Sequence, residues 1–192
     1  MARRIGILGG SFDPVHRGHL ALADAAREAF ALDEVRFMPC AGHRLKARKL
    51  SAAEDRCALL RLELARRPWL TLDCRELFRG GVTYTIDTLD ELRAEHPGAT
   101  LWLLLGMDSV CAFGQWFRAR EILERCEAVA FDRPGVEAPE TPFDPRLLAH
   151  RLRGPMMAVS STEAREALAG NAPVCYAIGK EALRYLARRR LY

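Results

Sequence analysis

The stretch Gly9-Gly10-Ser11-Phe12-Asp13-Pro14-Val15-His16-Arg17-Gly18-His19 gathers residue types that handle phosphate. Two glycines leave a short apolar run, so a ligand can approach the backbone with no Cβ in the way. Gly18 and His19 then open an amphipathic stretch. A helix starting there offers unpaired N–H groups and a positive dipole end, which favour an anion by about 0.3–1 kcal/mol at an exposed site. Blander readings exist. A Gly-Gly pair alone is an ordinary turn, and two histidines three apart can be a chance pair or half of a metal site. No further His, Cys or carboxylate stands at metal-ligand spacing, however. The G-x-G-x-x-G pattern is absent, because Phe12 stands third after Gly9 and Asp13-Pro14 reads as a turn, which disfavours a nicotinamide-dependent dehydrogenase. Phosphate binding is the favoured reading.

A second anion site is readable at Ser160-Ser161-Thr162-Glu163, a capping box in which Ser160 and Glu163 satisfy each other's backbone N–H. Hydroxyls and N–H groups at that helix start can hold phosphates, with Arg165 one turn in. A plain cap accounts for Ser160 and Glu163 but not for Arg165. Asp108, close after Gly106 at the end of an apolar run, suits a ribose hydroxyl, and Arg133 ends another such run. Trp116 offers a flat stacking surface or is core packing, the commoner fate of a tryptophan. A helix beginning near Thr85 offers N–H groups to a carboxylate.

These residues need a scaffold, and the hydrophobic pattern supplies one. Strand-sized apolar runs alternate with helical periodicity, which predicts an α/β fold with a mainly parallel sheet. Strands are expected at Arg4–Leu8, Val35–Met38, Trp69–Leu72, Leu101–Leu105, Ala128–Phe131 and Met156–Val159. Helices are expected from Gly18 to Phe30, with Leu20, Ala23, Ala26 and Phe30 inward, and from a capping box at Ser51-Ala52-Ala53-Glu54 until Pro68 stops the chain. Further helices are expected over Thr85–His96, from Ser160 onward, and over Lys180–Arg189. Gly80-Gly81 marks a loop, and Gly135–Thr141, rich in Pro, Glu and Gly, is the best candidate for a mobile one. A basic loop spans Cys40–Leu50.

A chain of 192 residues fits one domain, 49% hydrophobic and 28% charged, and no apolar run is long enough to cross a bilayer. Six scattered cysteines with no C-x-x-C pair point to free thiols in a reducing cytosol. The net charge of +4 comes from dispersed arginines, without the dense basic block that nucleic acid asks for. A cytoplasmic protein of small phosphorylated ligands is expected, with no nucleic acid and no membrane as partners and homo-oligomerisation left open.

Gly-Gly-Ser-Phe-Asp-Pro-Val-His-x-Gly-His, followed by Ser-Ser-Thr-x-x-Arg over Ser160–Arg165, resembles the HxGH nucleotidyltransferase superfamily. Within it the chain is most similar to the bacterial nicotinate-mononucleotide adenylyltransferases. The likeness runs nearly end to end through Arg75-Glu76-Leu77, Thr83-Tyr84-Thr85, Gly106-Met107-Asp108-Ser109, Trp116-Phe117, Arg133-Pro134-Gly135 and Leu191-Tyr192. It implies a Rossmann-like open parallel sheet with helices on both faces, in a single domain whose C-terminal part, from about residue 160, completes the ATP site. It implies ATP and nicotinate mononucleotide as substrates, with Mg²⁺ carried on the ATP phosphates and not on protein side chains. The alternative acceptors are nicotinamide mononucleotide and phosphopantetheine; a non-catalytic nucleotide-binding protein is a third reading.

On that resemblance, His16 and His19 stabilise charge at the reacting phosphate. Gly9, Gly10, Ser11, Phe12, Gly106, Asp108, Arg133, Ser161, Thr162 and Arg165 hold ATP, and Ser11, Tyr84, Thr85, Asp108, Trp116 and Phe117 hold the nicotinate nucleotide. The resemblance also assigns His43 and Arg44 to the ATP phosphates, since they match the His-Lys of a family loop whose two prolines are here Ala41-Gly42; read from charge alone, they are a solvated basic loop. Gly179 stands near where the family usually has a proline before its last helix.

Overall fold

The computed structural model describes residues 2–41, 50–153, 159–170 and 172–192. Six strands form one parallel sheet: β1 (Arg4–Gly10), β2 (Glu34–Pro39), β3 (Leu70–Leu72), β4 (Thr100–Gly106), β5 (Glu127–Phe131) and β6 (His150–Leu152). Their spatial order, β3-β2-β1-β4-β5-β6, is that of a doubly wound sheet whose direction of winding reverses between β1 and β4. The helices are α1 (Arg17–Phe30), α2 (Ala53–Leu64), α3 (Arg75–Arg79), α4 (Thr85–Glu95), α5 (Met107–Cys111), α6 (Ala119–Arg125), α7 (Arg146–Ala149), α8 (Ser161–Ala169) and α9 (Lys180–Arg189).

Side chains alternate across the sheet and build a core on each face. Ile5 and Ile7 of β1, with Leu101, Leu103 and Leu105 of β4, pack with Ile86, Leu89 and Leu92 of α4 and Ile122 of α6. On the other face Leu8, Phe37, Trp102, Leu104 and Phe131 meet Leu20 and Ala23 of α1, Leu60 and Leu64 of α2, and Leu186 of α9. Burial of both faces explains why the central strands read as unbroken apolar runs. Among the described residues no helix is long and apolar enough to cross a membrane.

One local expectation, the capping box before α2, is corrected. The N-cap of α2 is Ala52, without a side-chain cap bond, so Ser51 is no capping-box residue. Ser51 is drawn instead into tertiary contacts: its N–H donates to Asp13 Oδ2 at 3.4 Å, and its carbonyl accepts from Arg56 Nε at 3.2 Å. The last strand among the described residues is His150–Leu152. Of the expected Met156–Val159, residues 156–158 lie outside the described residues and Val159 belongs to no strand. All three positions of β6 are only half-buried on a sheet edge, so no apolar run announces it.

Candidate active site

The switch point opens at the carboxyl end of β1. Pairing of β1 with β2 continues to Gly10, whereas its pairing with β4 ends at Ile7. Beyond Ile7 the two strands part, which makes the crevice in which open α/β sheets bind ligands. Gly9 borders open space, since a Cβ there would meet nothing within 4 Å.

The chain then turns through Asp13-Pro14 into α1, whose N-cap is His16 in extended backbone. The His16 N–H donates to His19 Nδ1 at 3.2 Å, which leaves the proton of a neutral His19 on Nε2. The two imidazoles stack, with centroids 3.7 Å apart, and the Phe12 ring meets His19 edge-on at 5.0 Å. Gly18 is what permits this fold-back: a Cβ there would lie 3.0 Å from His16 Nδ1 and 3.0 Å from Val159 Cγ1. The glycine of the H-x-G-H pattern thus makes room for its first histidine.

Burial, with help from the Arg133 guanidinium and against the pull of Glu163, lowers the His16 pKa to about 4. Burial, then His16, then Arg133 hold His19 well below the usual histidine range. Both rings are therefore neutral near pH 7. His16 Nδ1 is buried with no hydrogen-bond partner among the described residues, an orphan acceptor or donor of the kind native structures rarely leave without a use. Arg133, whose charge both histidines feel, donates to Asp108 Oδ2 at 2.9 Å. Asp108 lies in the first turn of α5, after Gly106, where a Cβ would fall 2.8 Å from Asp108 Oδ1.

The start of α8 joins this group from the far end of the chain. Ser160 caps α8 as expected, accepting from the Glu163 N–H at 3.1 Å while Glu163 Oε2 accepts the Ser160 N–H at 2.7 Å. Ser161 Oγ donates to the Pro14 carbonyl at 2.9 Å, and Arg165 Nη1 to the Asp13 carbonyl at 2.7 Å. Arg165 Nη2 also reaches Thr162 Oγ1 at 3.1 Å. The two candidate anion sites are thereby stitched together.

Tyr84, Thr85, Trp116 and Phe117 form a second group. Tyr84 is the N-cap of α4 and Thr85 its first residue. The Tyr84 ring lies 4.4 Å from that of the half-exposed Phe117, and Trp116 stacks on Phe113 at 5.1 Å. Trp116 also borders a hollow of about 330 Å³ shared with Gly114, Arg118, Arg120 and Phe143. Tyr84 and Trp116 pack on the sheet face of Leu103 and Leu105, whereas Phe12 packs on the opposite face. His43 and Arg44 lie outside the described residues.

Three supports escaped the sequence reading. Arg56 is 1% exposed and donates to three backbone carbonyls, those of Ser11, Cys40 and Ser51. Asp13 is fully buried and accepts from the Tyr192 hydroxyl. In the short helix α3, Glu76 accepts from Thr88 Oγ1 at 3.0 Å and from Thr83 Oγ1 at 3.5 Å, which steadies the entry to α4. A buried charge inside a helical repeat was the available signal for Arg56; the other two depend on contacts across the fold.

Sheet order, glycine-bordered crevice and histidine pair together define an α/β nucleotidyltransferase, and the pattern of the cytidylyltransferase-like family matches residues 7–167. A relative from Herpetosiphon aurantiacus, named "Probable nicotinate-nucleotide adenylyltransferase", is 36% identical and the match covers 99% of this chain and 98% of its own. One of the same name from Frankia casuarinae is 40% identical, with 96% and 98% covered. The chain belongs to the nicotinate-nucleotide adenylyltransferase family. The fold agrees with that of a solved Plasmodium falciparum nicotinic acid mononucleotide adenylyltransferase complexed with NaAD, at TM-score 0.81 and 20% identity over 99% of this chain and 97% of that one.

Proposed function

We propose that this enzyme transfers AMP from ATP to nicotinate mononucleotide, forming deamido-NAD and pyrophosphate. The observation that carries the reading is the stacked, neutral His16–His19 pair at a helix start beside the glycine-bordered crevice. A phosphate of the acceptor has its second pKa near about 6, so at neutral pH it is largely dianionic and attacks without a general base. A new bond forms between its oxygen and the α-phosphorus of ATP. The bond from that phosphorus to the α,β-bridging oxygen breaks, and pyrophosphate leaves with the electron pair. Charge builds on the α-phosphoryl oxygens and the leaving group, so aimed donors should dominate the rate.

His19 Nε2–H and the N–H groups at the start of α1 are suited to that role. Neutral imidazoles serve here as polar donors, and an arriving polyphosphate would raise their affinity for protons. Gly9, Gly10, Ser11 and Phe12 give close backbone approach. Ser161, Thr162 and Arg165 support the second half of a phosphate cradle, Ser161 and Arg165 by locking α8 to the Asp13-Pro14 turn. Asp108 and Arg133 offer an acceptor and a donor for ribose and adenosine. The donors assembled here are N–H, hydroxyl, imidazole and guanidinium, which suit phosphate oxygens and leave a Mg²⁺ ion to the phosphates themselves. When bound, that ion supplies charge neutralisation for the departing pyrophosphate.

Trp116 supplies a stacking face for the pyridine ring, and the start of α4 at Thr85 favours its carboxylate over an amide through the helix dipole. Tyr84 and Phe117 support the same pocket. The discriminating experiment is pyrophosphate release with ATP and, in turn, nicotinate mononucleotide, nicotinamide mononucleotide and phosphopantetheine. The acid should exceed the amide by about tenfold in kcat/KM, the scale of one partly shielded charge–dipole interaction. Equal values would reassign the acceptor, and no release with any would leave a binding protein. In the same assay His19→Ala should lower kcat about 100- to 1000-fold with the fold retained. Unchanged turnover in a folded variant would remove His19 from the mechanism.

A further inference from the structure

We infer that Arg56 is a positioning residue for adenylyl transfer, its guanidinium drawing back the carbonyls of the phosphate-binding turn so that the turn's N–H groups face the nucleotide. The inference rests on the adenylyltransferase reading. Arg56 lies in the first turn of α2 and is 1% exposed. All three of its nitrogens donate: Nη1 to Ser11 O at 2.7 Å, Nη2 to Cys40 O at 2.9 Å and Nε to Ser51 O at 3.2 Å. Three separate segments, the turn after β1, the end of β2 and the entry to α2, are held by one side chain. Cys40 and Ser51 flank the stretch that carries His43 and Arg44 in sequence.

Two consequences point beyond a structural staple. In a planar trans peptide the C=O and N–H groups point in opposite directions, so turning the Ser11 carbonyl inward sends the Phe12 N–H away from the guanidinium. Phe12 itself sits at φ +46°, a left-handed conformation that a bulky residue adopts only under constraint. Its buried ring bears on His19 at 5.0 Å and on Phe37 at 5.3 Å. Arg56, the Ser11–Phe12 peptide and the His19 ring thus form one mechanical train. The second consequence is electrical. The guanidinium donates to carbonyls and, among the described residues, pairs with no carboxylate. A buried cation held by carbonyl oxygens beside the crevice also attracts an anion drawn into it.

Lysine cannot replace this fork, because one ammonium does not span three carbonyls. ATP affinity and pyrophosphate release are measured for the wild type, Arg56→Lys and Arg56→Ala. Arg56→Lys should fold, bind ATP more weakly and lose about 10- to 100-fold in kcat/KM, the scale of a misplaced reacting group. Methylguanidinium added to Arg56→Ala should restore activity about tenfold, whereas methylammonium should not. A folded Arg56→Lys with wild-type ATP affinity and turnover overturns the inference, as does a folded Arg56→Ala that methylguanidinium leaves unchanged. Should neither variant fold, nitrogen-edited NMR of the wild type decides. Separate, slowly exchanging Arg56 guanidinium protons support the clamp, and protons averaged by free rotation overturn it. A wild type that releases no pyrophosphate brings down the activity reading and this inference with it.

Discussion

His16 and His19 are held in the neutral state by the same burial that stacks them, and their protonation should be measurable one ring at a time. In the unfolded chain a histidine titrates near about 6.5, whereas folded His16 titrates at about 4. Protons taken up between those values favour the unfolded chain, so His16 lends its full stability above the unfolded pKa and loses it as pH falls. Its share of the loss should reach about 2 kcal/mol by about pH 5. Urea midpoints at about pH 7 and pH 5 check this, with His16→Gln as the variant that should lessen the difference by that share. In NMR, the His16 midpoint should rise when ATP binds. Gly18→Ala tests the same pair from the backbone, because its Cβ would crowd His16 Nδ1 and Val159 at 3.0 Å. It should displace the ring and move the His16 midpoint toward the ordinary value; a midpoint left at about 4 would show that the pocket absorbs the methyl group.

At the scale of elements, α9 is docked on α2 by a buried carboxylate. Asp55, 4% exposed, accepts from the Tyr185 hydroxyl at 2.7 Å and from Arg189 Nε at 3.0 Å. The Tyr185 hydroxyl first, and Arg189 after it, hold the Asp55 carboxyl below its usual range against the opposing effect of burial. Tyr185→Phe should therefore cost about 1.5 kcal/mol at neutral pH, the worth of a hydrogen bond to a charged group. The difference from wild type should shrink as acid protonates Asp55 through its lowered pKa, and a pH-independent difference would exclude the link. These pairings were not legible in the sequence, because Asp55 meets Tyr185 and Arg189 from 130 and 134 positions away. Strands β1 to β5 and the α1, α4, α8 and α9 helices were legible, because apolar period and capping chemistry are local. Ser51 misled for the reverse reason: a local cap signal lost to contacts with Asp13 and Arg56. Gly179, conspicuous as a departure from its family, donates its N–H to Glu63 at 2.6 Å, a bond that a proline has no proton to make.

As a whole, the molecule is two hydrophobic cores that share one sheet, with β1 and β4 contributing side chains to both. Neither core keeps its shape if the sheet is lost, so unfolding should be a single transition. Trp69 and Trp102 report on one core and Trp116 on the other. Their fluorescence and the far-ultraviolet circular dichroism should give coincident urea curves, and a resolved plateau between them would show that one core survives alone. The candidate site inherits this unity. Its histidines rest on one core, its aromatic pocket on the other, and the crevice is where the strands between them diverge.

The bonds from Ser161 to Pro14 and from Arg165 to Asp13 join residues separated by 147 and 152 positions. Contacts of such sequence separation are entropically late to form. During synthesis the glycine turn and both histidines leave the ribosome well before their partners on α8, which lie 147 and 152 positions further on. A nascent chain can wind β1 and α1 long before it possesses a finished phosphate cradle. Nucleotide affinity should therefore appear only once α8 has emerged, which would make ATP a ligand that selects chains with α8 docked over those without it.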